Sequence, residues 1–596
     1  MSTRYIKPDI GSKSFVAAIG LVLFGLLLAV LVRLYQLQIV DPHLLERTFT
    51  EEIPALRGKI FDRNGDSVPL ALSIPAQQVY VDPQDPKFTE GRHPVPKTRV
   101  AQTLATILGL PPDEMLATLQ RKDNRYIPVA VTLDETIISN LVYAIGQRGK
   151  DQRLAGVRLT QTSVRSYPQG RRMSHVIGFA TKGGEGLAGI EQVYDEVLKP
   201  IPGRIAGVRD SLARELRLRR MEDIDPIPGA NVHLTLDHTI QNIAERELRA
   251  QVDKFKATAG FVIIQRVKTG EILALASCPD FDPNNYSREP PSSYLNKALT
   301  GVYEPGSTMK AVTVAAALNE GVITEHTRFD CMNAVWHYAG RPLNDHCRGM
   351  IDTRTALKKS SNIFCAKAAV ALGPAKFEAY LRAFRFGSKL GIDLPGEAGG
   401  LLAPHKRWAM ITPTRIGIGQ GVAVTGLQML NAYCTIANHG KMMQPYLVDR
   451  VVSPKGEVIK QNRPAVIGRP IKPAVADLVL DMLKGVLDDG GTARRARVKG
   501  YSVAGKTGTA QMVVRDVNPE TGRVRSYYSN TDHHASFVGI IPASDPEIGI
   551  LVVIERPQPQ HTGGFVSAPV FARIAEEVMR YLSVPCDEKE DESRLD

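Results

Sequence analysis

The 596-residue sequence predicts a membrane-anchored, multidomain protein of the α/β class. Three observations lead to this prediction. The chain is too long for one ordinary domain, and an apolar segment near its N-terminus is long enough to cross a bilayer as a helix. In the C-terminal part, strand-like segments flank a helix-rich block. That order predicts an antiparallel sheet covered by helices, together with an all-helical subdomain.

The apolar segment at residues 14–33 is interpreted as an uncleaved membrane anchor. Residues 14–32 carry no charge, and three basic residues precede them. The positive-inside tendency therefore places the tail 1–13 in the cytoplasm and the rest of the chain outside it. A cleaved signal peptide is the alternative. The apolar run is longer than a usual signal core, however, and no small-x-small cleavage site follows it.

After the anchor, residues 41–225 alternate short elements without a cluster of chemically active side chains. This region is therefore assigned to a non-catalytic pedestal domain. Its hydrophobic patterns predict a helix and two strands, namely a helix over 98–119 interrupted at Pro111-Pro112, and strands at 158–167 and 201–209.

A second domain is predicted over residues 226–585, after a linker-like break at 226–229. An acidic tail, 586–596, follows and is expected to be disordered. The polar stretch 515–533 is predicted to be a flap over the site. The regular elements predicted for the domain are a strand at 232–237 ending at the cap of a helix over 237–255, a hairpin of 261–265 with 271–277, the helix-rich block at 307–438, strands at 502–514, 535–541 and 548–554, and a helix at 569–582.

The net charge of +12 indicates an anionic partner, such as nucleic acid, anionic lipid or an acidic polymer. The sequence contains no nucleic-acid-binding motif, and the anchor points away from the cytosol, so nucleic acid is not expected. The densest basic patch, residues 214–220, is either a contact for an anionic polymer or partner, or a solvated strand face. The second interpretation is favoured.

No cofactor or metal ion is expected. The glycines at 417–421 lack the spacing of a dinucleotide-binding loop, and the His-Glu-x-x-His pattern of zinc proteases is absent. Among the six cysteines, Cys331 and Cys347 are the plausible disulfide pair. Asp345 and His346 adjoin Cys347, so a zinc site is an alternative, although the spacing matches no standard pattern. Free thiols are the third interpretation.

Three short motifs in a fixed order carry the chemistry of the second domain. They are Ser307-Thr308-Met309-Lys310, Ser360-Ser361-Asn362 and Lys506-Thr507-Gly508-Thr509. An S-x-x-K match alone is weak, because a chain of this length contains about one or two by chance. Three motifs in order, each in a suitable local setting, are a strong signal for a serine nucleophile with a lysine base.

Ser307 is expected at the start of a helix, where free backbone N–H groups and the helix dipole favour a developing oxyanion. Lys310 follows three residues later, so its amine emerges on the same helix face as the Ser307 hydroxyl. To accept the serine proton, Lys310 must be neutral. Lowering its pKa by about three units requires roughly 4 kcal/mol of destabilisation of the charged form. Burial and a second cation, Lys506, are the expected causes.

The second motif is expected to enter the same cleft. Ser360 is predicted to relay a proton between Lys310 and the leaving amine, and Asn362 to bind the amide of the substrate. Taken alone, Ser-Ser-Asn before an apolar run is more simply a helix cap. Both interpretations are compatible.

The third motif lies in a predicted strand. Lys506 and Thr507 suit a terminal carboxylate, and Thr509 supplies a further hydroxyl. Gly508 is expected to leave room for a peptide along the strand edge. The backbone N–H groups of Ser307 and Thr509 are the predicted oxyanion hole.

Over nearly its whole length, the chain resembles class B penicillin-binding proteins, the peptidoglycan D,D-transpeptidases. The resemblance implies a serine β-lactamase-like catalytic domain behind a dimerisation-type pedestal. It rests on the three motifs and on these family-like stretches: RGKIFDRNG at 57–65, RSYPQGRRMSHVIGF at 165–179, GLAGIEQVYD at 186–195, LTLD at 234–237, TGEILALASCPDFDPNNY at 269–286, YEPGSTMK at 303–310, GIGQGVAVTGLQM at 417–429, YSVAGKTGTAQ at 501–511 and HASFVGIIP at 534–542.

The resemblance also implies the reaction and its setting. Ser307 would form an acyl-enzyme from a stem peptide ending in D-Ala-D-Ala, with loss of the terminal D-Ala. An amine of a neighbouring stem peptide would then resolve the ester into a cross-link, and β-lactams would acylate Ser307 as substrate mimics. The expected location is the bacterial cytoplasmic membrane, with the catalytic domain outside the cytoplasm. The expected partners are a polytopic membrane glycosyltransferase and other division proteins.

Within the class, the Ser-Ser-Asn form, the chain length and the GYSVAGKTGTAQ context resemble division-type enzymes more than elongation-type ones. An elongation-type transpeptidase is the nearest alternative. A β-lactamase is a second, but dedicated β-lactamases are single soluble domains without a pedestal. A β-lactam sensor or a division scaffold is a third. Sensors of that kind carry a cytoplasmic protease portion, whereas only about 13 residues precede this anchor.

Overall fold

The computed structural model describes residues 10–36, 39, 47–65, 68–89, 94–146, 154–209, 216, 220–517 and 524–588. The chain divides into two compact units, each built from separated segments. Unit 1 comprises Met1–Leu56, Pro75–Ser163 and Pro200–Pro228, and unit 2 comprises Arg57–Ile74, Val164–Lys199 and Gly229–Asp596. This division differs from the single boundary expected at residues 225 and 226.

Up to residue 228, short helices alternate with strands. The helices are α1 (Ile10–Tyr35), α2 (Lys97–Leu108), α3 (Pro112–Gln120), α4 (Glu135–Gly146), α5 (Ser174–Ile177), α6 (Gly189–Val193) and α7 (Asp195–Leu198). The strands are β1 (Arg47–Ile53), β2 (Ile60–Phe61), β3 (Pro69–Val81), β4 (Ile127–Thr132), β5 (Val157–Ser166), β6 (Gly203–Arg209) and β7 (Glu222–Ile224).

From residue 229, longer elements form the bulk of unit 2. The helices are α8 (His238–Lys254), α9 (Lys297–Thr300), α10 (Met309–Asn319), α11 (Thr353–Lys358), α12 (Asn362–Leu372), α13 (Pro374–Ala383), α14 (Thr412–Ile416), α15 (Gly426–Ala437), α16 (Pro473–Lys484), α17 (Gly563–Val566) and α18 (Ala568–Tyr581). The strands are β8 (Asn231–Leu234), β9 (Ala259–Arg266), β10 (Ile272–Cys278), β11 (Val302–Tyr303), β12 (Arg328–Asp330), β13 (Val335–Tyr338), β14 (Arg341–Asn344), β15 (Met350–Asp352), β16 (Val424–Thr425), β17 (Met442–Met443), β18 (Val448–Val452), β19 (Val458–Gln461), β20 (Val466–Gly468), β21 (Ala504–Val517), β22 (Val524–Ile541) and β23 (Ile548–Glu555).

Helix α1 contains the predicted anchor. Its stretch Ser14–Tyr35 has a mean hydropathy of 3.0, and none of it is buried against the described residues. A helix of this length spans the hydrocarbon core of a bilayer. The helix is thus consistent with a single-pass anchor at the predicted position.

The remainder of unit 1 combines a small sheet with a helical layer. β1, β6 and β7 form a three-stranded antiparallel sheet, and residues of β3 from Gln77 onward pair with β4. The predicted interruption of the first helix is confirmed. α2 ends at the left-handed Gly109, and Pro112 begins α3, where its missing N–H costs no helical hydrogen bond. Most of the basic patch 214–220 lies outside the described residues.

Unit 2 is organised around a five-stranded antiparallel sheet in the order β10-β9-β23-β22-β21. Asp237 caps α8 as predicted, because its carboxylate accepts from the Thr239 amide at 2.9 Å. α18 packs on β22 through an edge-to-face contact of the Phe537 and Phe571 rings, whose centroids are 4.9 Å apart. α15 covers the sheet through a buried 2.8 Å hydrogen bond from Gln265 to Asn431. The predicted fold class is confirmed.

The helical block between α10 and α15 is not purely helical, so that part of the prediction is wrong. Two antiparallel strand pairs, β12 with β15 and β13 with β14, lie between α10 and α11. These strands are three or four residues long and largely solvent-accessible. Strands this short carry little alternation of apolar and polar residues, which is the signal that reveals a strand in sequence.

The described residues of the predicted flap at 515–533 are strand. β21 and β22 extend beyond the sheet as a two-stranded ribbon, with Val513 opposite Tyr528 and Val517 opposite Val524. A two-stranded ribbon without a covering layer is exposed to solvent on both faces. Polar residues are therefore tolerated on both faces, and the period-two pattern disappears.

The start of the expected disordered tail is ordered. The Asp587 carboxylate accepts from the Ser502 amide at 2.8 Å and also from the hydroxyls of Ser502 and Ser544. Three charge-assisted hydrogen bonds hold this end of the chain beside β21. Residues 589–596 lie outside the described residues.

Candidate active site

The turn before α10 presents Ser307. Gly306 adopts φ +55° in a short 3₁₀ turn, and its amide donates to the Gly419 carbonyl at 3.1 Å. The buried Tyr433 hydroxyl fixes the next residue by donating to the Thr308 carbonyl at 2.7 Å. Ser307 is half-buried within this turn and lies just before α10, so its position near a helix start agrees with the prediction. Within the described chain, its hydroxyl has no hydrogen-bond partner in this structure.

Two lysines lie beneath the turn, and both are fully buried. The Lys310 amine contacts the Ser360 carbonyl oxygen at 2.6 Å, the Ser360 hydroxyl at 3.2 Å and the Asn362 Oδ1 at 2.6 Å. The Lys506 amine donates to the Ser360 hydroxyl at 2.9 Å. The structure therefore brings together four predicted site residues from three distant motifs.

Burial controls the protonation of this pair. It lowers the pKa of the Lys310 ammonium, the direction that the sequence analysis requires. Burial, followed by the nearby charge of Lys310, lowers the pKa of Lys506 well below its ordinary value. Repulsion between two buried ammonium groups opposes the simultaneous protonation of both. The pair therefore favours a state in which one amine is neutral.

Neighbouring residues of the Ser-Ser-Asn motif make different contacts. Ser361 is the N-cap of α12 and accepts from the Phe364 amide at 3.2 Å. Ser360 adopts φ +60°, an uncommon conformation for a serine, which turns both its carbonyl and its hydroxyl toward the Lys310 amine. Ser361 is thus the helix cap, while Ser360 and Asn362 contact Lys310 and line the cleft, so the two interpretations are compatible.

Asp345 is a site residue whose role the sequence analysis missed. Its carboxylate accepts from the Ile363 amide at 2.8 Å and from the Ser361 hydroxyl. The preceding residue, Asn344, accepts from Asn362 Nδ2 at 2.8 Å, which leaves the Asn362 oxygen directed at Lys310. The β14 end therefore orients the second motif. Asp345 is distant in sequence from the start of α12. Its effect on that helix start can therefore be recognised only once the two segments are known to meet.

Asp345 does not form a metal site with its neighbours. Its Oδ1 caps the local turn by accepting from the amides of His346 and Cys347. Among the described residues, one group of three potential ligands is close enough to hold an ion, and it is Asp62, Asp237 and His238, which are hydrogen-bonded within the group and to Asn64. Cys331 and Cys347 are buried free thiols, so the disulfide interpretation does not hold in this structure.

The third motif lies on β21, which is the edge strand of the sheet, as a site for an extended substrate requires. The Thr507 hydroxyl contacts the Thr492 hydroxyl at 2.9 Å, and Thr509 Oγ1 accepts from the Gly563 amide at 3.1 Å. Both hydroxyls remain on the wall of the cleft.

Gly508 has a different role from the one expected. A β-carbon at this position would lie 2.3 Å from the Ser536 hydroxyl oxygen and 3.0 Å from the Pro305 carbonyl oxygen. The missing side chain therefore lets the turn before Ser307 pack directly against β21. The absence of a side chain at Gly508 therefore sets the distance between the first and third motifs, and it does not open space for a peptide.

The motifs line a cleft of about 1080 Å³. Its walls include Ser307, Ser360, Asn362, Thr507 and Thr509, while Lys310 and Lys506 lie buried beneath them. The segment 489–497 and residues 562–565 form a further wall that the sequence analysis did not identify. The available signal was the basic run Ala-Arg-Arg-Ala-Arg shortly before the third motif.

Comparison with known proteins agrees with this geometry. Residues 260–576 match the penicillin binding protein transpeptidase domain, and residues 52–234 match the penicillin-binding protein dimerisation domain. The chain belongs to the penicillin-binding protein transpeptidase family. The resemblance stated from the sequence is confirmed, and so is the predicted enzyme class, a serine-type transpeptidase.

Relatives of this penicillin-binding protein match along most of their length. It is 31% identical to the peptidoglycan D,D-transpeptidase FtsI of Escherichia coli, over 93% of this chain and 90% of that protein. It is 31% identical to the stage V sporulation protein D of Bacillus subtilis, over 89% of this chain and 78% of that protein. The crystal structure of penicillin-binding protein 3 from Mycobacterium tuberculosis with aztreonam superposes with a TM-score of 0.67 at 26% identity, covering 90% and 98% of the two chains.

Proposed function

We propose that this penicillin-binding protein cross-links peptidoglycan by acyl transfer through Ser307, using the lysine pair as its proton-handling machinery. The observation that carries the proposal is the Ser360 hydroxyl, which lies within hydrogen-bonding distance of both the Lys310 and the Lys506 amines. One hydroxyl between two buried amines provides a continuous path for a proton. The cleft above holds an accessible serine and hydroxyl donors on an edge strand.

In the acylation step, the Ser307 oxygen attacks the carbonyl between the two D-alanines of a stem peptide. A neutral Lys310 has two N–H bonds, which match its two 2.6 Å acceptors, and one lone pair left to take the serine proton. The proton then passes through Ser360 to the leaving nitrogen, the C–N bond breaks, and D-alanine departs. The backbone amides of Ser307 and Thr509 are assigned to the oxyanion.

In the second step, an amine of a neighbouring stem peptide attacks the Ser307 ester. It loses a proton to the lysine pair as the new amide bond forms, and the proton returns to the Ser307 oxygen as the ester bond breaks. Thr507 and Thr509 are assigned to the terminal carboxylate of the donor, and Asn362 to its backbone amide. Because β-lactams present a reactive amide beside a carboxylate, they are expected to acylate the same serine.

The Lys310→Ala variant tests the assignment of the base. With a stem peptide ending in D-Ala-D-Ala and an amine acceptor, the wild-type chain is expected to release D-alanine and yield a peptide dimer, both measurable by mass spectrometry. The variant is expected to acylate at least about 100-fold more slowly, the scale of lost general-base help. In the wild type, the acylation rate is expected to rise with pH and to level off below the ordinary lysine pKa, because burial lowers the pKa of Lys310.

Lys310→Arg is the matched control, because it keeps a cation that does not deprotonate at the pH of the assay. It is expected to be as slow as Lys310→Ala while retaining the thermal stability of a folded protein. A Lys310→Arg variant that acylates at the wild-type rate would show that Lys310 contributes charge rather than base catalysis.

We propose further that this enzyme acts at the division septum, with its N-terminus in the cytoplasm and unit 2 outside it. The support is the division-type sequence context of the second and third motifs, together with the apolar α1 and its preceding basic residues. A polytopic glycosyltransferase and other division proteins are the proposed partners. A fluorescent fusion of the full chain is expected to gather at midcell in dividing cells. Uniform labelling of the side wall would instead favour an elongation role.

A further inference from the structure

The wall of the cleft beside Thr507 carries an unusual concentration of positive charge. The 2.9 Å contact between Thr492 and Thr507 joins the segment 489–497 to β21. The cleft lining includes Lys359, Arg494, Arg495 and Arg497, and its acidic member is Asp489. The cleft is therefore attractive to anions on the side where the proposed function places the carboxylate of the leaving D-alanine.

These cations are not equally available to a substrate. Arg497 is occupied, because it donates to Asp489 at 3.0 Å and to the Leu487 carbonyl at 2.8 Å. The Arg495 guanidinium lies 3.9 Å from the centre of the Phe565 ring, a stacked arrangement that leaves the N–H edge free. Arg494 is exposed and makes no ion pair within the described chain. Lys359 is also exposed, but it adjoins the second motif, so Arg494 and Arg495 are the cations of segment 489–497 that are open to a ligand.

Lys506 alone is a poor source of charge for a carboxylate. It is fully buried, it donates to Ser360, and burial lowers its pKa well below the ordinary value. An exposed arginine, by contrast, stays protonated at any physiological pH. A planar guanidinium also matches the two oxygens of a carboxylate. The charge that a carboxylate needs on this side of the cleft is therefore supplied by the two arginines.

The chemistry of the reaction specifies which carboxylate benefits. In D-alanine, the leaving nitrogen and the carboxylate are attached to the same carbon. The acceptor amine attacks the same ester carbonyl and exchanges protons with the same lysine pair, so its nitrogen must occupy the position that the D-alanine nitrogen left. A carboxylate on the carbon next to the acceptor nitrogen then falls on the side of Thr507 and the two arginines. An acceptor amine without such a carboxylate gains no binding energy from Thr507 and the two arginines.

We propose that Arg494 and Arg495, with Phe565 as a stacking platform, form an anion subsite that selects acceptor amines belonging to a free α-amino-acid centre. Such an amine has a carboxylate on its own carbon, as D-alanine does. This inference rests on the proposed function, because it takes Ser307 as the acylated residue. It adds a specificity for the second substrate, which the three motifs alone do not provide.

The test compares two acceptors that differ only in charge. The full-length protein in detergent is acylated with a D-Ala-D-Ala stem peptide, and D-alanine labelled with a heavy isotope or D-alaninamide is offered as acceptor. Aminolysis products are measured against hydrolysis by mass spectrometry. Because the two amines differ in basicity, the quantity compared between proteins is the ratio of aminolysis by D-alanine to that by D-alaninamide.

In the Arg494→Ala/Arg495→Ala variant, this ratio is expected to fall about tenfold, the effect of losing a partly exposed charged hydrogen bond. The matched control is Arg463→Ala/Arg469→Ala, which removes the same charge from exposed residues that do not line the cleft. It is expected to leave the ratio unchanged. Arg494→Lys/Arg495→Lys is expected to retain part of the preference, because the charge remains but the fork geometry is lost.

The outcomes separate this inference from the proposed function. An acyl-enzyme that forms with an unchanged acceptor ratio in the alanine variant would overturn the subsite while leaving the catalytic proposal intact. An equal fall in the cleft variant and in the control would show a general effect of net charge, and it would also overturn the subsite. If no acyl-enzyme forms on Ser307 in the wild-type chain, the proposed function itself fails.

Discussion

Replacing Ser307 by alanine is expected to abolish covalent labelling of the full-length protein by fluorescent penicillin. The adduct needs an accessible oxygen that loses its proton to a neighbouring base. Ser307 is half-buried on the cleft wall, and within the described chain its hydroxyl is free of hydrogen bonds in this structure. The hydroxyls of Ser360, Thr507 and Thr509, which also line the cleft, are each engaged in a hydrogen bond. The measurement is the fluorescence of the protein band in a denaturing gel, which retains only covalent adducts.

Ser360→Ala is the matched control for that experiment. Its hydroxyl lies in the same cleft but is held between two lysines, and the residue is 9% exposed. This variant is expected to label more slowly, because the proton relay is broken, yet to reach the same final adduct. A stable adduct in Ser307→Ala would assign the nucleophile to another side chain, and an adduct absent only from Ser360→Ala would reverse the two roles.

Replacing Glu191 by alanine is expected to destabilise unit 2 by about 3–5 kcal/mol, the cost of leaving buried charges without their partner. Glu191 is completely buried between two arginines. Its oxygens lie 2.7 Å from Arg57 Nε and 2.6 Å from Arg165 Nε. For Arg57 the loss is partly offset, because its guanidinium keeps an ion pair of 2.6 Å with Asp195. Arg165 has no other carboxylate partner within the described chain and would remain buried with its charge uncompensated.

The measurement is equilibrium unfolding in urea of the detergent-solubilised full chain, followed by the loss of penicillin labelling, which reports on unit 2. Asp545→Ala is the control. It removes an ion pair of similar length, 2.7 Å to Lys268, whose side chains are 51% and 80% exposed. Exposed pairs contribute about 0–1 kcal/mol, so this variant is expected to unfold near the wild-type midpoint. We call Glu191, Arg57, Arg165 and Asp195 the Glu191 cluster. Equal losses of unfolding free energy in both variants would show that this buried cluster adds no more stability than an exposed ion pair.

The Glu191 cluster also explains why the two compact units do not coincide with the expected domains. Its members come from three of the family-like stretches, 57–65, 165–179 and 186–195. All three stretches lie before residue 225, in the range assigned to the pedestal, yet they belong to unit 2. A buried ion-pair network requires that its charges meet, and chain order gives no information about which distant charges do so.

Predictions that rested on local chemistry agree with the structure. The break before α3 follows from Pro111-Pro112, and the start of α8 follows from the carboxylate of Asp237. Each of these signals acts on backbone groups within a few residues, so neighbouring sequence carries the necessary information. Predictions about packing had mixed outcomes, because the three motifs do meet at Ser360 but other neighbours were missed. The helical block contains two short strand pairs, and a β-carbon on Gly508 would meet both Ser536 of β22 and a turn about 200 residues earlier in the chain.

The sequence by itself predicted an apolar helix long enough to span a membrane, the order of the main elements and the candidate reacting groups, because hydrophobic length and residue spacing are local properties of the chain. Only the tertiary structure decided how those groups act. Burial lowers the pKa of both lysines, Ser360 lies between their amines, and Arg494 and Arg495 line the side of the cleft near Thr507. Each of these properties depends on desolvation or on contacts between segments far apart in the chain, and such contacts arise only when the segments pack together.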